Sequence, residues 1–210
     1  KTEAAQYGYD DMTYGFIGYP VSQAADITFC NADLVPVGED QKPHIELARK
    51  LVRRFNDLYC GDTPLIKEPE IKLSEFPRWP GSTQRQNGQE PGNAIYLSDT
   101  PETVKEKVSK AVTDPSRIRA TVLHPDICVV NKYHAVFTPD EHEDICERCK
   151  AGTIGCVACK KRLTQSLNDL LDPFRERRAY YEAHLDDVRD IIRQGNAHAN
   201  EIGNENIAKI

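Results

Sequence analysis

The stretch GFIGYPVSQAADITF, residues 15–29, and the shorter run ADLVPVG, residues 32–38, together decide the fold class. The first has too little alternation of apolar and polar residues for a half-exposed strand, so it predicts a mostly buried helix. The second is a brief apolar run that ends in glycine, which is typical of a buried parallel strand. A helical period of apolar residues follows at Ile45, Ala48, Leu51, Val52 and Phe55. Helix, strand and amphipathic helix in succession predict a parallel α/β unit.

The rest of the chain changes character along its length. Residues 62–93 are proline-rich and predict a long irregular segment with one short strand, and NAIYLSD, residues 93–99, predicts a strand or extended segment. Thr100 with Pro101 and Thr138 with Pro139 each predict a helix start, and Gly152 predicts a stop. A long helix is expected from Cys156 toward Leu185 with a kink or break at Pro173, and residues 187–210 continue in helical style. We therefore expect an α/β half, residues 1–115, followed by an α-helical half, residues 116–210.

The composition is that of an ordinary globular protein. The 210 residues carry a net charge of -6, with 39% hydrophobic and 29% charged residues. This acidic balance argues against a generally basic nucleic-acid binder, although local basic surfaces remain possible. No apolar run reaches the roughly 18 residues that a membrane span needs, so we expect no membrane partner. Seven cysteines without an export signal favour a reducing, cytoplasmic location.

Four of the cysteines lie in CERCKAGTIGCVACKK, residues 146–161. Cys146 with Cys149 and Cys156 with Cys159 form two Cys-x2-Cys hooks that are similar to a tetrahedral zinc site. A fifth cysteine, Cys128, precedes Cys149 with twenty residues between them. Four thiolates also suit a [4Fe–4S] cluster, for which Cys128 could supply a ligand from elsewhere in the chain. The residues alone leave buried thiols, zinc and a cluster open.

Several long segments resemble the class I tryptophanyl-tRNA synthetases. They are GFIGYPVSQAADI (15–27), LVPVGEDQKPHIELARKLVRRFN (34–56), GNAIYLSD (92–99) with VKEKVSKAVTDP (104–115), and CKKRLTQSLNDLLDPFRERR (159–178). The resemblance covers nearly the whole chain. It implies the second half of a Rossmann-type catalytic domain with a tryptophan and adenylate site over 1–115, and a helical domain of the anticodon-binding type over 116–210. The implied activity is that of a tryptophan–tRNA ligase. It uses ATP with Mg²⁺ to activate tryptophan and passes it to tRNA(Trp), in a protein expected to be a homodimer.

The resemblance also implies roles for particular residues. A site that reads an indole needs an acceptor for its N–H, because a buried donor or acceptor left unpaired costs about 1–3 kcal/mol. Asp26 matches the family residue in that position, with Gln23 one helical turn before it. Tyr19 and Gln41 would hold the α-amino group, Val35 and Val37 would wall the ring, and Gly38 and Asp40 would meet the adenylate ribose.

Two departures from the family pattern concern ATP. The family carries an upstream His-x-Gly-His element, which this sequence does not contain. It also carries a Lys-Met-Ser-Lys-Ser loop whose lysines neutralise the leaving pyrophosphate. The matching positions here are Gln86, Asn87, Gly88, Gln89 and Glu90. We therefore assign no catalytic residue and expect this chain by itself not to activate tryptophan. The alternative is a non-catalytic paralogue or fragment that binds tryptophan or RNA.

The same resemblance implies which cysteines would act as ligands. Some members of the family hold a [4Fe–4S] cluster through a set similar to Cys128, Cys149, Cys156 and Cys159, which would leave Cys146 aside. Zinc is the alternative. The basic residues directly after Cys159 are Lys160, Lys161 and Arg162, and we expect them to contact RNA phosphates.

Overall fold

A computed structural model describes residues 13–74, 81, 92–114 and 125–210 of the protein. Within these ranges the helices and strands, in chain order, are α1 (Tyr14–Thr28), β1 (Leu34–Val37), α2 (Lys42–Tyr59), β2 (Glu70–Leu73), α3 (Pro101–Lys110), α4 (Val129–Phe137), α5 (Pro139–Lys150), α6 (Cys156–Ala183) and α7 (Leu185–Ile207). Short 3₁₀ helices cover Glu39–Gln41 and Pro125–Ile127. The chain divides into two compact units, Lys1–Arg78 with Arg189–Ile210, and Trp79–Val188.

The helix predicted around residues 15–29 is present as α1, which the Thr13 hydroxyl caps by accepting from the Phe16 amide at 3.3 Å. The expectation that this helix is mostly buried is wrong for the described structure. Only Ala24 and Ile27 are buried, whereas Ile17, two turns before Ala24, is 58% exposed. The reason is that α1 contributes to the core of this unit only from its C-terminal half, so the apolar residues of its first turns lie outside that contact.

The predicted parallel α/β unit is confirmed. β1 and β2 pair in parallel, with Leu34 opposite Glu70 and Val37 opposite Leu73, and α2 makes the crossover between them. The core of this unit contains Ala24, Ile27, Ile45 and Ala48, against which Val35 and Val37 pack. β1 is not fully buried, because alternate residues point away from this core.

The loop between α2 and β2 is tied to the helix by Asn56, which is only 8% exposed. Its Nδ2 donates to the Ile66 carbonyl at 2.8 Å, and its Oδ1 accepts from the Leu65 and Ile66 amides at 3.1 and 3.2 Å. One buried amide thus satisfies three backbone groups of a loop without regular structure. This contact sets the path on which the chain enters β2.

The second unit is built from helices, as expected. Its core comprises Val104, Val108, Ala111, Val129, Val130, Tyr133, Leu163, Leu167 and Leu171, contributed chiefly by α3, α4 and α6. α3 begins at Thr100, whose hydroxyl accepts from the Thr103 amide at 3.2 Å. α5 begins after Thr138, and Gly152 follows its end with a φ of 69°. α6 continues through Pro173, so this proline does not break the helix.

The segment NAIYLSD does not form the predicted strand. Asp99 closes a turn, with its amide donating to the Tyr96 carbonyl at 3.0 Å and its Oδ2 accepting from the Tyr96 amide at 2.9 Å. Lys107 Nζ donates to the same carboxylate at 2.6 Å, and Arg175 Nε donates to the Asp99 carbonyl at 2.8 Å. A local carboxylate therefore competes for the backbone groups that a strand would use.

The C-terminal part of α7 packs within the first unit. There Asn206 Nδ2 donates to the Phe29 carbonyl at 2.9 Å. α3, by contrast, packs in the helical unit on α6. The assignment of catalytic and anticodon-binding functions to residues 1–115 and 116–210 remains a prediction about function rather than packing. Among the described helices, none combines the length and apolar character that a membrane crossing requires.

Candidate functional site

An open depression of about 510 Å³ lies at the carboxyl ends of the two strands. It is lined by Pro36, Val37 and Gly38 after β1 and by Lys72, Leu73 and Ser74 of β2 and its end. Open parallel α/β sheets bind ligands at this edge, because the strand ends and the following loops leave a crevice there. The predicted residues Val37 and Gly38 therefore lie at the edge of the sheet where parallel α/β folds bind ligands.

A row of hydrogen-bonded side chains, two amides and a carboxylate, joins α1 to the turn after β1. Gln23 Nε2 donates to Gln41 Oε1 at 3.2 Å, and Gln41 Nε2 donates to Asp40 Oδ2 at 3.1 Å. The first of these bonds is half-buried. Three of the predicted site residues, separated by up to 18 positions in sequence, are thus held in one hydrogen-bonded row.

A second polar contact involves His44, to which the sequence analysis gave no role. The Tyr19 hydroxyl and His44 Nε2 are 2.8 Å apart, and the two rings meet edge to face with centroids 5.1 Å apart. His44 lies in the first turn of α2, three residues after Gln41. Its position three residues after the predicted residue Gln41 is the signal that could have pointed to His44, because residues at that spacing are neighbours on a helix.

Asp26 lies on an exposed part of α1, one helical turn beyond Gln23. Val35 is half-buried against the core of the first unit, and so is Val37. The structure therefore places Gln23 and Asp40 on either side of Gln41, which bonds to both, and places Asp26 on the same helix as Gln23 but in an exposed position. The positions matched to the lysine loop, residues 86–90, lie outside the described residues.

The four cysteines predicted to act together line one small cavity in the second unit. Its volume is about 20 Å³, and Cys128, Cys149, Cys156 and Cys159 share its wall with Thr113, Val130, Asn131, Ile145 and Ile154. Cys128 occupies the N-cap position of α4, Cys149 the last turn of α5, and the other two the first turn of α6. Within the described ranges, no three His, Cys, Asp or Glu side chains form a group that could hold a metal ion.

Cys146 has a different environment. Its Sγ donates to Asn131 Oδ1 at 3.0 Å and lies 3.4 Å from His142 Nε2. Desolvation raises the pKa of the Cys146 thiol above its usual value, with the hydrogen bond from this thiol to Asn131 acting in the opposite direction. A thiol in such a position is stabilised in its neutral form.

A buried histidine stands next to the cysteine cavity. His134 is 0% exposed; its Nδ1 is 2.7 Å from Thr138 Oγ1, and its Nε2 is 3.3 Å from both the carbonyl oxygen and the Sγ of Cys159. Burial lowers the pKa of His134. Sequence reasoning missed this residue, although a histidine within the apolar run VVNKYHAVF is a signal for a buried polar contact.

Two of the three predicted RNA contacts are used inside the protein. Lys160 Nζ donates to the Ser109 and Ala111 carbonyls at 2.6 and 2.8 Å, and Arg162 makes a two-pronged ion pair with Glu141. This pair raises the pKa of Arg162 and lowers that of Glu141. Lys161 is exposed.

A groove of about 740 Å³ lies between α3 and α6 beside these residues. Lys105, Lys160 and Lys161 are among the residues that line it, together with Glu102. The groove is therefore a partly basic surface on an acidic protein, next to the cysteine cavity, with which it shares Cys156.

A parallel strand–helix–strand unit with polar residues at its carboxyl edge, together with a helical unit, defines a partial Rossmann-type domain combined with a helical domain. The family model for class I tRNA synthetases of tryptophan and tyrosine matches residues 1–172, and the chain belongs to this family. It is 42% identical over 205 residues to the tryptophan–tRNA ligase of Aquifex aeolicus. The aligned region is 96% of this chain and 51% of the relative. The tryptophan–tRNA ligase of Thermotoga maritima is 37% identical over 214 residues, and the aligned region is 100% of this chain and 64% of the relative.

Solved structures agree on the fold. The tryptophanyl-tRNA synthetase of Campylobacter jejuni, complexed with ADP and tryptophan, superposes with a TM-score of 0.78 at 23% identity over 99% of this chain and 64% of that one. The tryptophanyl-tRNA synthetase of Aeropyrum pernix gives a TM-score of 0.65 at 25% identity. The superposition covers 94% of this chain and 52% of that one. The chain thus spans between about half and two thirds of the length of these relatives.

Proposed function

We propose that the protein acts in the tryptophan–tRNA ligase reaction, in which tryptophan and ATP form tryptophanyl-adenylate and the tryptophanyl group passes to tRNA(Trp). The observation that carries the proposal is the row Gln23–Gln41–Asp40 at the carboxyl edge of the sheet. Family membership and the tryptophan bound to the Campylobacter jejuni enzyme support it. Mg²⁺ would neutralise the phosphates of ATP in this reaction.

The residues of this chain supply binding and orientation. Gln41 is held on both sides, by Gln23 and by Asp40, so its amide has a defined direction. An oriented amide oxygen and the Tyr19 hydroxyl suit an ammonium group, which donates up to three hydrogen bonds. Holding the α-amino group in place directs the carboxylate toward the nucleotide, and such positioning lowers the barrier by reducing the entropy lost on reaction.

The remaining roles follow the family pattern. Asp26 accepts the indole N–H, and Gly38 and Asp40 meet the adenylate ribose. Val35 and Val37 form an apolar wall for the ring, and Val37 also lines the depression at the strand ends. A carboxylate that accepts the indole N–H selects tryptophan over phenylalanine, because phenylalanine would leave this acceptor without a donor.

Calorimetric titration of the chain with tryptophan tests the assignment. Loss of the acceptor in Asp26→Ala leaves the indole N–H unpaired, which costs about 1–3 kcal/mol and weakens binding by about 5- to 150-fold. Asp57→Ala, which removes an exposed carboxylate from α2, is the matched control and should bind as wild type does. Equal affinity in wild type and Asp26→Ala would contradict the role of Asp26.

A second candidate function is binding of tryptophan or RNA without catalysis. It is favoured by the neutral amides Gln86 and Gln89, which stand where the family has lysines. Without those charges the leaving pyrophosphate loses its stabilisation. Tryptophan-dependent pyrophosphate exchange separates the two candidates. Brisk exchange by this chain would eliminate the non-catalytic one.

We further propose that Cys128, Cys149, Cys156 and Cys159 hold a [4Fe–4S] cluster. The support is that all four line one cavity with apolar walls, whereas Cys146 donates its S–H to Asn131. Zinc bound by the two hooks would instead require Cys146. Binding would require the four thiolates to come closer together than in the described residues, where no three His, Cys, Asp or Glu side chains form a metal-holding group. The cluster's role would be to hold the ends of α4, α5 and α6 together.

Anaerobic reconstitution with iron and sulfide tests the cluster. The loaded protein should show broad visible absorption from thiolate-to-iron charge transfer, with about four irons per chain. Cys128→Ser should abolish this absorption, and Cys146→Ser, the matched control, should retain it. A colourless protein that holds one zinc ion and is unaffected by Cys128→Ser would show that the zinc alternative is correct.

Finally, we propose that the basic groove contacts tRNA in a cytoplasmic homodimer. Lys161 is exposed beside Lys105 in the groove, and phosphate contacts by such side chains release counterions. Lys160 and Arg162 already bond to groups of the protein, the Ala111 carbonyl and Glu141. Their role would be to hold the helices that form the groove in place, not to contact phosphates. Sedimentation of the purified chain tests the dimer, and fractionation of cells tests the compartment.

A further inference from the structure

Two side chains of α1 meet two side chains at the start of α2. Tyr19 and Gln23 are one helical turn apart on α1. Gln41, the N-cap of α2, and His44 have nearly the same spacing. Gln23 Nε2 donates to Gln41 Oε1 at 3.2 Å, and the Tyr19 hydroxyl lies 2.8 Å from His44 Nε2. Each of the two groups proposed to hold the α-amino group, Tyr19 and Gln41, therefore bonds to a side chain from the opposite side of this contact.

The ring of His44 is held against the ring of Tyr19. His44 is half-buried in the first turn of α2, directly before Ile45, which is 0% exposed in the core of the first unit. The His44 and Tyr19 rings meet edge to face with centroids 5.1 Å apart, and Phe16 of α1 meets Tyr19 in the same manner at 6.3 Å. Packing thus sets the direction of the phenol, and the hydrogen bond to His44 sets where its proton lies.

Two arrangements of that proton fit the distance of 2.8 Å. In the first, Tyr19 donates to Nε2 of a neutral His44 ring whose own proton is on Nδ1. In the second, Nε2–H donates to the phenol oxygen. Conjugation with the ring keeps the phenol proton in the ring plane, so the oxygen has two in-plane positions, one for its proton and one for a lone pair. His44 takes one of them, and the other is where a ligand of this hydroxyl would bind.

The chemistry of the ligand distinguishes the two arrangements. An ammonium group only donates hydrogen bonds, so it needs the lone pair at the ligand position. The phenol proton must then point at His44. If Nε2–H donated instead, Tyr19 would present its own proton to the ammonium, which would weaken binding.

We infer that His44 is a positioning residue, which accepts the Tyr19 proton and so makes this hydroxyl an acceptor for the α-amino group of tryptophan. The inference rests on the tryptophan-binding role of Tyr19 proposed above. It extends to Tyr19 what Gln23 does for Gln41, because each acceptor is oriented by a hydrogen bond from the facing element.

Calorimetric titration with tryptophan and with indole-3-propionate tests this role. The second ligand keeps the indole and the carboxylate but lacks the ammonium. His44→Phe keeps a ring against Tyr19 and removes the acceptor, so it should bind tryptophan about 2- to 12-fold more weakly, the range for one neutral hydrogen bond. It should bind indole-3-propionate as wild type does. Equal losses for the two ligands would show a merely structural role and overturn the inference, and so would unchanged binding of tryptophan.

Two further comparisons show whether His44 acts through Tyr19. His44→Gln places an amide oxygen near the position of Nε2 and should recover most of the lost affinity. When Tyr19→Phe is already present, adding His44→Phe should cost less than about twofold, because the hydroxyl that His44 orients is gone. A full additional loss there would overturn the inference. Tyr59→Phe, which removes an exposed hydroxyl at the end of α2, is the control and should bind both ligands as wild type does.

Nitrogen-15 NMR of the histidine rings separates this inference from the proposed function. In the ligand-free chain, above the pH range in which histidine titrates, His44 should carry its proton on Nδ1 and leave Nε2 unprotonated. His44→Gln identifies its signals by their loss. A proton on Nε2 would overturn the inference whatever the chain binds. If the wild-type chain does not bind tryptophan, the proposed function fails, and the tautomer alone then decides whether His44 orients the Tyr19 hydroxyl. The tautomer also decides if His44→Phe does not fold.

Discussion

Replacement of Lys160 by methionine removes an ammonium that holds the carboxyl end of α3 against α6. Nζ donates to the Ser109 and Ala111 carbonyls at 2.6 and 2.8 Å, where the last carbonyls of a helix have no partner within it. Methionine keeps most of the apolar stem and removes the charge. The substitution therefore isolates these two hydrogen bonds from the packing of the side chain.

The expected loss of stability follows from three contributions. Each hydrogen bond from a charged donor contributes about 1.5–3 kcal/mol, and a cation at a helix C-terminus adds about 0.3–1 kcal/mol. Ordering a lysine side chain costs up to about 2 kcal/mol, and Lys160 is only half-buried, which weakens the electrostatic gain. The net loss in Lys160→Met should be about 2 kcal/mol, which lowers the melting temperature by about 4–8 °C.

Thermal unfolding and RNA binding, measured on the same variants, decide between a structural role and an RNA contact. Lys161→Met is the matched control, because Lys161 is the exposed neighbour. It should unfold within about 0.5 kcal/mol of wild type but bind tRNA more weakly, with a shallower dependence on salt. Equal melting temperatures for the two variants would refute the argument that Lys160 secures α3.

Three further predictions concern other parts of the fold. The ion pair with Arg162 holds the pKa of Glu141 in the folded protein below 4.5, the value of the free side chain. The ion pair therefore stabilises the folded state above pH 4.5, and this stabilisation is lost as the pH falls through the pKa of the folded protein. In Glu141→Gln, urea unfolding should therefore show a smaller loss of stability below pH 4.5; an unchanged pH profile would contradict this. Asn56→Ala leaves the backbone of residues 65–66 without three hydrogen bonds and should cost about 2–4 kcal/mol in urea unfolding, whereas a loss under about 1 kcal/mol would show that water replaces them. Leu163→Ala, at a core position 1% exposed, should cost about 2–5 kcal/mol by the same assay, and a smaller loss would mean that the helices close the cavity.

Features that depend on near neighbours could be predicted from the sequence. Thr100 and Pro101 start α3, Pro139 starts α5, and Gly152 follows its end, as expected. These outcomes rest on caps, fixed φ angles and the left-handed preference of glycine, all of which act within one helical turn. The parallel unit was also predictable, because a short apolar strand followed by an amphipathic helix leaves few alternatives.

Only the tertiary structure decided which distant groups meet. Lys160 and Arg162 look like free basic residues in sequence, yet their partners lie 49 to 51 and 21 residues away. His134 reaches Cys159 across 25 positions, and Cys128 joins three cysteines of α5 and α6 at one cavity. NAIYLSD has the composition of a strand, but Asp99 and its partners Lys107 and Arg175 impose a turn. Patterns of neighbouring residues carry local propensities, whereas these contacts are selected by the packing of whole helices, which no short stretch encodes by itself.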